Sequence, residues 1–430
     1  MSAAATALLH RRALVLGTAA IAAVARRRPA QAQQQPQQQQ QQAGAAANEL
    51  RLGALFPLSG PLALPGDESF RGVELAVEER NAQGGVLGRP IRLVKADAAD
   101  PAQAVAEARR LMGQERVAAI LGTHSSALSL AASQVVELQG IPYIELGAVA
   151  DAITERGFQN LFRTCPRASD YAAVALDAVT EVLAPLYAAD PAALKLTLVY
   201  EDAPGAQSIA AAIEQQAGRR GVQLVEKIAY PSRSGDLAAL VPRLRGVGTD
   251  ILLHPGGQQS DIVPLFRGMQ EANWRPRMVV GAGGGYSLAE TARAVGPGFE
   301  GVMNVDVTQF AVQERIAPGA GEFAEAYKRK YGSEPRTGDS LANAVGARVF
   351  LDALQRAGAL DKDRLRAALL ATDIAEGTTA TGWGVRFDEK GQNQRARPFL
   401  VQWQDGHLVT VFPAAAAVAQ PRAKLGPPPG

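Results

Sequence analysis

An α/β protein built from two doubly wound parallel sheets is the fold this sequence predicts. Patterns typical of strands and helices alternate along the chain in two successive runs. With 430 residues the chain is too long for one core and suits two domains of ordinary size. Alanine, glycine and aliphatic residues dominate and aromatics make up only 5%, a composition suited to helices packed on parallel sheets. Net charge is +2, so no large field favours nucleic acid or an anionic membrane.

The first run opens at Leu50. Alternation at Leu50, Leu52 and Ala54, continuing into Leu55 and Phe56, predicts a buried strand. Pro57, Ser59, Gly60 and Pro61 break it into a loop at the strand's carboxyl end. Phe70, Val73 and Val77 then recur at helical spacing over about 67–81, and Asn81, Gly84 and Gly85 stop that helix. Further strands are expected near 91–95, 117–121 and 142–145, with helices at about 101–114 and 128–138. Asp100 before Pro101 puts a capping residue and a first-turn proline in their favoured places. The second run places strands near 196–201, 223–229, 251–254 and 278–281, and helices near 206–219, 237–245, 260–272 and 287–295. Periodicity alone is equally compatible with a plain tandem of two α/β domains.

The chain's start reads as targeting rather than fold. His10, Arg11 and Arg12 form a basic start, Ala13–Ala25 is apolar but short for a bilayer, and Ala30-Gln31-Ala32 offers a small-x-small cleavage site. Residues 1–32 are therefore expected to be an export signal, of the general secretory or twin-arginine kind. No cysteine lies near the cleavage site to take a lipid. Residues 33–49, rich in glutamine, are expected to be a disordered spacer, and the Ala- and Pro-rich 413–430 a disordered tail. No other segment resembles a transmembrane helix. The lone Cys165 excludes an internal disulfide framework, and His124, His254 and His407 lack metal-ligand spacing.

Several stretches carry a more specific likeness. Pro57–Pro61 reads PLSGP, and Arg71–Arg89 reads RGVELAVEERNAQGGVLGR. Asp100–Gly122, Thr154–Thr164, Gly382–Gly391 and Pro398–Gln402 continue it. Over roughly residues 50–412 the chain resembles the type I periplasmic binding proteins, in particular the branched-chain amino acid binding family that feeds ABC importers. The resemblance implies two discontinuous lobes joined by three crossover strands, near 163–168, 300–306 and 381–385. Lobe 1 would hold 50–164 and 306–381, and lobe 2 would hold 168–300 and 385–412. It also implies a small-molecule ligand, a membrane permease as partner, a periplasmic location, a monomer, and neither catalysis nor a cofactor.

Open α/β sheets bind ligands beyond the carboxyl ends of their strands, which singles out particular loops. After the third strand come His124, Ser125 and Ser126, followed by a helix whose first N–H groups suit a carboxylate. The plain alternative is that a serine only caps the helix. By resemblance, Ser126 matches the family serine that bonds the ligand carboxylate. Gly147 in the turn Gly147-Ala148-Val149 matches a backbone contact, while Val149 replaces a helpful threonine. In amino-acid-binding relatives the loop after 278–281 carries an acid for the ligand ammonium, and here Gly283 holds that position. Pro65 and Gln258 fall where relatives have tyrosine. Glu201 and Asp202 offer replacement acids in a neighbouring loop. The expected ligand is accordingly a carboxylate-bearing molecule, with an ammonium-free and aromatic acid favoured if the glycines at 283–285 leave room. An amino acid is the alternative, and a periplasmic sensor for a membrane receptor a further one. Gly281–Tyr286 begins like a dinucleotide fingerprint, but Tyr286 stands where its last glycine belongs.

Overall fold

The computed structural model describes residues 49–232 and 237–426. The expected signal and nearly all of the glutamine-rich spacer, residues 1–48, lie outside the described residues. Residues 49–426 form two α/β lobes, each on its own main sheet.

The first lobe is built on five parallel strands: β1 (Leu50–Phe56), β2 (Ile91–Asp97), β3 (Ile120–Gly122), β4 (Tyr143–Glu145) and β5 (Leu161–Arg163). Their order is β2-β1-β3-β4-β5. Parity along β1 explains why the sheet needs cover on both faces. Leu50, Leu52, Ala54 and Phe56 enter one core, and Leu55 enters the other. Helices Ala63–Ala82, Ala320–Tyr331 and Asp339–Ala357 cover the first face. Helices Pro101–Gly113 and Ser126–Leu138 cover the second. Asp100 caps the Pro101 helix as its sequence suggested, accepting from Gln103 N at 2.9 Å.

The second lobe repeats that plan. β6 (Lys195–Glu201), β7 (Gln223–Tyr230), β8 (Ile251–Pro255), β9 (Met278–Ala282) and β10 (Met303–Asp306) are parallel in the order β7-β6-β8-β9-β10. Two antiparallel strands extend the β10 edge: β13 (Phe399–Gln404) and β14 (His407–Phe412). A two-stranded ribbon, β11 (Asp373–Ile374) with β12 (Val385–Arg386), lies apart from both sheets. In each lobe the strand order reverses beside the first strand, between β1 and β3 and between β6 and β8. Such switch points open a crevice at the carboxyl ends.

The chain passes between the sheets three times. The first passage leaves β5 at Arg163. The second leaves β10 at Asp306, where Thr308 donates to Thr381 O at 3.0 Å. The third differs from the sequence-based expectation of 381–385. Val385 pairs with Ile374, and Phe387 packs edge-on to Phe162 at 5.2 Å, so the chain stays with the first core. It joins the second sheet only at Phe399. The first and third passages are tied together: Arg163 N donates to Gly391 O, and Asn393 Nδ2 to Thr164 O.

A second correction concerns the tail. Residues 413–426 pack onto the second sheet rather than lying loose, with Ala416 and Leu425 buried. Gln402 and Gln404 hold the backbone carbonyls of Arg422 and Gln420. Composition hid this because the contacts are made mainly by backbone, which Ala- and Pro-rich sequence still supplies. No helix among the described residues is long and apolar enough to cross a membrane.

Candidate functional site

Both switch points face one cleft of about 200 Å³ between the lobes. Leu62, His124, Ser125, Ser126, Gly147 and Val149 approach it from the first lobe. Glu201, Ala203–Ala206, Ile209, Gly256, Gly257, Gln258 and Gly283 approach from the second. A larger cavity of about 280 Å³, between Phe266, Trp274 and Val295, lies at the amino ends of the second sheet's strands and touches neither switch point. The smaller cleft is the better candidate because loops from both lobes converge there.

Two helices point their amino ends into it. The Ser126–Leu138 helix has no side-chain cap from Ser125 and no acid in its first turn. The Pro204–Ala217 helix likewise has neither. Their first-turn N–H groups and positive dipole ends make this corner receptive to an anion. The lobes already meet here. Ser208 Oγ accepts from Asp151 N at 3.0 Å, and a Cβ added to Gly205 would stand 3.1 Å from Ser126 Oγ.

Of the sequence-predicted residues, Ser125, Ser126, Gly147, Val149, Gln258 and Gly283 line the cleft. Ser126 Oγ also accepts from Ala150 N at 3.1 Å, which pins the turn after β4. Ala148 does not line the cleft; it is fully buried, and its N–H donates to Glu145 at 2.8 Å. The N–H of Gly147 is taken by the same carboxylate at 2.9 Å, so its role as a ligand donor is not free in this structure. Asp202 is also outside the lining; it is exposed and paired with Gln207. His124 borders the cleft, with Nδ1 3.9 Å from an Asp339 oxygen.

Glu145 is an anchor that sequence reasoning missed. Its buried carboxylate accepts from the backbone N–H groups of Thr123, Leu146, Gly147 and Ala148. Burial raises its pKa, and the side-chain bond to Ser129 and those backbone donors oppose the rise. His254 plays a comparable part in the second lobe. It sits behind Gly257 between the hydroxyls of Tyr230 and Tyr286, and burial pushes its pKa down to about 3, so it stays neutral.

The glycines at 283–285 do not simply leave room. A Cβ at Gly283 would fall 2.1 Å from Gly256 O, and one at Gly285 would fall 2.3 Å from Gly257 O. Both pack against the neighbouring turn, and only Gly284 faces open space. The acid that relatives carry at the position of Gly283 has no room here.

Three carboxylates nonetheless border the cleft: Glu201, Asp306 and Asp339. No lysine or arginine stands among the described residues lining it. Burial, and then the charge of Asp339, pushes the Asp306 carboxyl up to about 7. The expected passage 300–306 ended on Asp306, and a crossing strand must border the cleft; that was the available signal. Asp339 and Tyr171, which also lines the cleft, had none.

A cleft between two lobes of this topology, joined by three passages and reached by both switch points, is the arrangement of a two-lobed binding protein. The profile of the family described as periplasmic binding protein matches residues 49–407, and the chain belongs to that family. It is the solute-binding component type of ABC transporters, a class that takes a small-molecule ligand, works with a membrane permease and is exported to the periplasm. The chain is 48% identical over 378 residues to Leu/Ile/Val-binding protein homolog 7 of Brucella suis, covering 88% of this chain and 94% of that one. Its fold is similar to that of a branched-chain amino acid transporter substrate-binding protein, LivJ of Streptococcus pneumoniae, in complex with isoleucine. That match has a TM-score of 0.71 and 22% identity over 87% of this chain and 100% of that one. A solute-binding protein of R. palustris in complex with benzoate is similar too, with a TM-score of 0.69 and 19% identity over 87% and 99%.

Proposed function

We propose that this protein captures an amino acid, or a similarly zwitterionic small solute, for an ABC importer. The observation that carries this reading is the polarity of the cleft. Two uncapped helix ends lie at one corner, and three carboxylates border the space with no lysine or arginine among the described lining residues. A ligand carboxylate fits beside Ser125, Ser126 and the first turn of the Pro204 helix. An ammonium fits against the acids, where a charge-assisted hydrogen bond contributes roughly 1.5–3 kcal/mol. A bare carboxylate would gain the helix ends but meet the acids. A volume of about 200 Å³ suits a small solute. The names of the Brucella relative and of the isoleucine complex support this reading, while the benzoate complex keeps the ammonium-free acid as the other outcome.

In this reading the protein is exported by its first 32 residues, works as a monomer in the periplasm, binds without turnover and hands its ligand to a permease. Ligand docks on the first lobe, and the second closes over it about the three passages. Closure excludes water and strengthens the few polar contacts.

The close approach of Gly205 to Ser126 offers a test. In Gly205→Val the branched side chain would press on Ser126 Oγ and on Val149 Cγ2, which lie 3.1 and 3.5 Å from the added Cβ. The lobes then cannot meet, and calorimetry should show ligand affinity falling about tenfold or more, equivalent to ~1.4 kcal/mol. Urea denaturation should be little changed. Unaltered affinity would place the ligand elsewhere.

A further inference from the structure

Within the reading of the cleft as an amino-acid site, on which this inference rests, we propose that Asp306 and Asp339 together receive the ligand ammonium. Because they come from opposite sides of the hinge, their repulsion makes closure depend on a positive charge placed between them.

The other acids are poorly placed. Position 283 cannot hold a side chain, and Asp202 faces solvent. Glu201 is packed beneath Gly256, where a Cβ would meet its own Cβ at 2.8 Å. Asp306 ends β10, the strand that leads the second passage, and is 7% exposed. One of its oxygens accepts from Ser287 Oγ and the other from Val307 N at 2.7 Å, so its carboxyl is held in place. Asp339 opens the Asp339–Ala357 helix of the first lobe and accepts from Thr337 Oγ1 at 2.8 Å. Its second oxygen faces His124, whose Nδ1 is buried without a hydrogen-bond partner.

Two carboxylates from different lobes thus border one space that no lysine or arginine among the described lining residues enters. Like charges so placed cannot both ionise cheaply. The groups around Asp306 are Asp339 and, beyond it, His124, with Tyr171 from the Ala168–Asp177 helix, Ser287, and Glu201 farther along the same sheet's border of the cleft. None is a fixed cation. In the empty cleft a proton on Asp306 relieves the repulsion, and a docked ammonium replaces that proton. The sign follows. Below about pH 7 Asp306 must release its proton before the ammonium can dock, so affinity falls as pH falls, by at most about tenfold per unit.

The test is calorimetric titration of the exported chain with the standard L-amino acids, each beside its 2-hydroxy analogue, in buffers of different ionisation heat. The wild type should bind an amino acid, prefer it to the hydroxy acid, and release a proton on binding near pH 6.5. Asp306→Asn and Asp339→Asn should each lose tenfold or more in amino-acid affinity while keeping or gaining affinity for the hydroxy acid. Asp306→Asn should also lose the proton release and melt higher without ligand at pH 8. If the wild type binds amino acids and both variants bind them within twofold with an unchanged pH profile, this assignment fails and the amino-acid reading stands. If the wild type binds no amino acid, both fail together.

Discussion

Replacing Arg163 by methionine is expected to cost about 3–5 kcal/mol of folding stability. The guanidinium is fully buried at the end of β5, where the chain leaves the first sheet. Its Nε donates to Gln392 Oε1 at 2.6 Å, Nη1 to Ala150 O at 2.7 Å and to Ala148 O at 3.3 Å, and Nη2 to Thr154 Oγ1 at 3.2 Å. None of these partners is charged, so the cation is held by oriented dipoles rather than by a salt bridge. Methionine fills much of the space but donates nothing. It leaves the carbonyls of Ala148 and Ala150 and the Gln392 amide short of a donor inside the protein, and each loss costs about 1–3 kcal/mol. Relief from burying the charge offsets part of this. Because the same residue joins the first passage to the third, ligand binding should weaken as well. Urea denaturation measures the stability change; a loss below about 1 kcal/mol would mean that the passages are held together by other contacts.

Glu145→Ala should be comparably severe, at roughly 3 kcal/mol or more. The carboxylate gathers four backbone N–H groups at 2.8–3.0 Å from the loops after β3 and β4. Among these, the N–H groups of Thr123 and Ala148 belong to residues with no exposed surface. Alanine removes their acceptor without supplying another. Glu145→Gln keeps one carbonyl oxygen, and Tyr143 and Thr123 can turn their hydroxyls to accept from its amide, so it should lose far less. Both loops border the cleft, so the alanine variant should also blur the ligand site. A small loss with alanine would show that water enters and takes over the carboxylate's role.

These two anchors also show what sequence could and could not convey. β1 was legible to the residue because alternation on a two-faced sheet leaves a clear imprint, and Asp100 announced its helix. Ser125 and Ser126 could be singled out because strand ends in such sheets can be located from pattern, and the cleft lies at those ends; Gln258 was reached only through the family resemblance. Glu145 could be read as the last residue of its strand, but nothing local says that its side chain curls back onto four N–H groups. Asp306 and Asp339 sit in separate stretches of chain, and only the folded hinge brings them beside the Ser126 loop. The role of Gly283, making space or serving a tight turn, stays open in the sequence for a related reason. A glycine that makes space and a glycine packed against another backbone look the same until Gly256 O is placed 2.1 Å from the missing Cβ. The third passage falls later than the resemblance implies because matching segments does not say which core the Val385–Phe387 stretch joins.

The central claim is that the cleft between the lobes takes a zwitterion. A thermal-shift screen of the chain from Asn48 onward, against L-amino acids, their 2-hydroxy analogues, benzoates and dicarboxylates, tests it most directly. Ligand at about 100 times its dissociation constant adds roughly 2.7 kcal/mol, enough to move the melting temperature visibly. The account predicts a shift with one or more amino acids and little with the same skeletons lacking the ammonium. A shift confined to benzoates or other ammonium-free acids would contradict it.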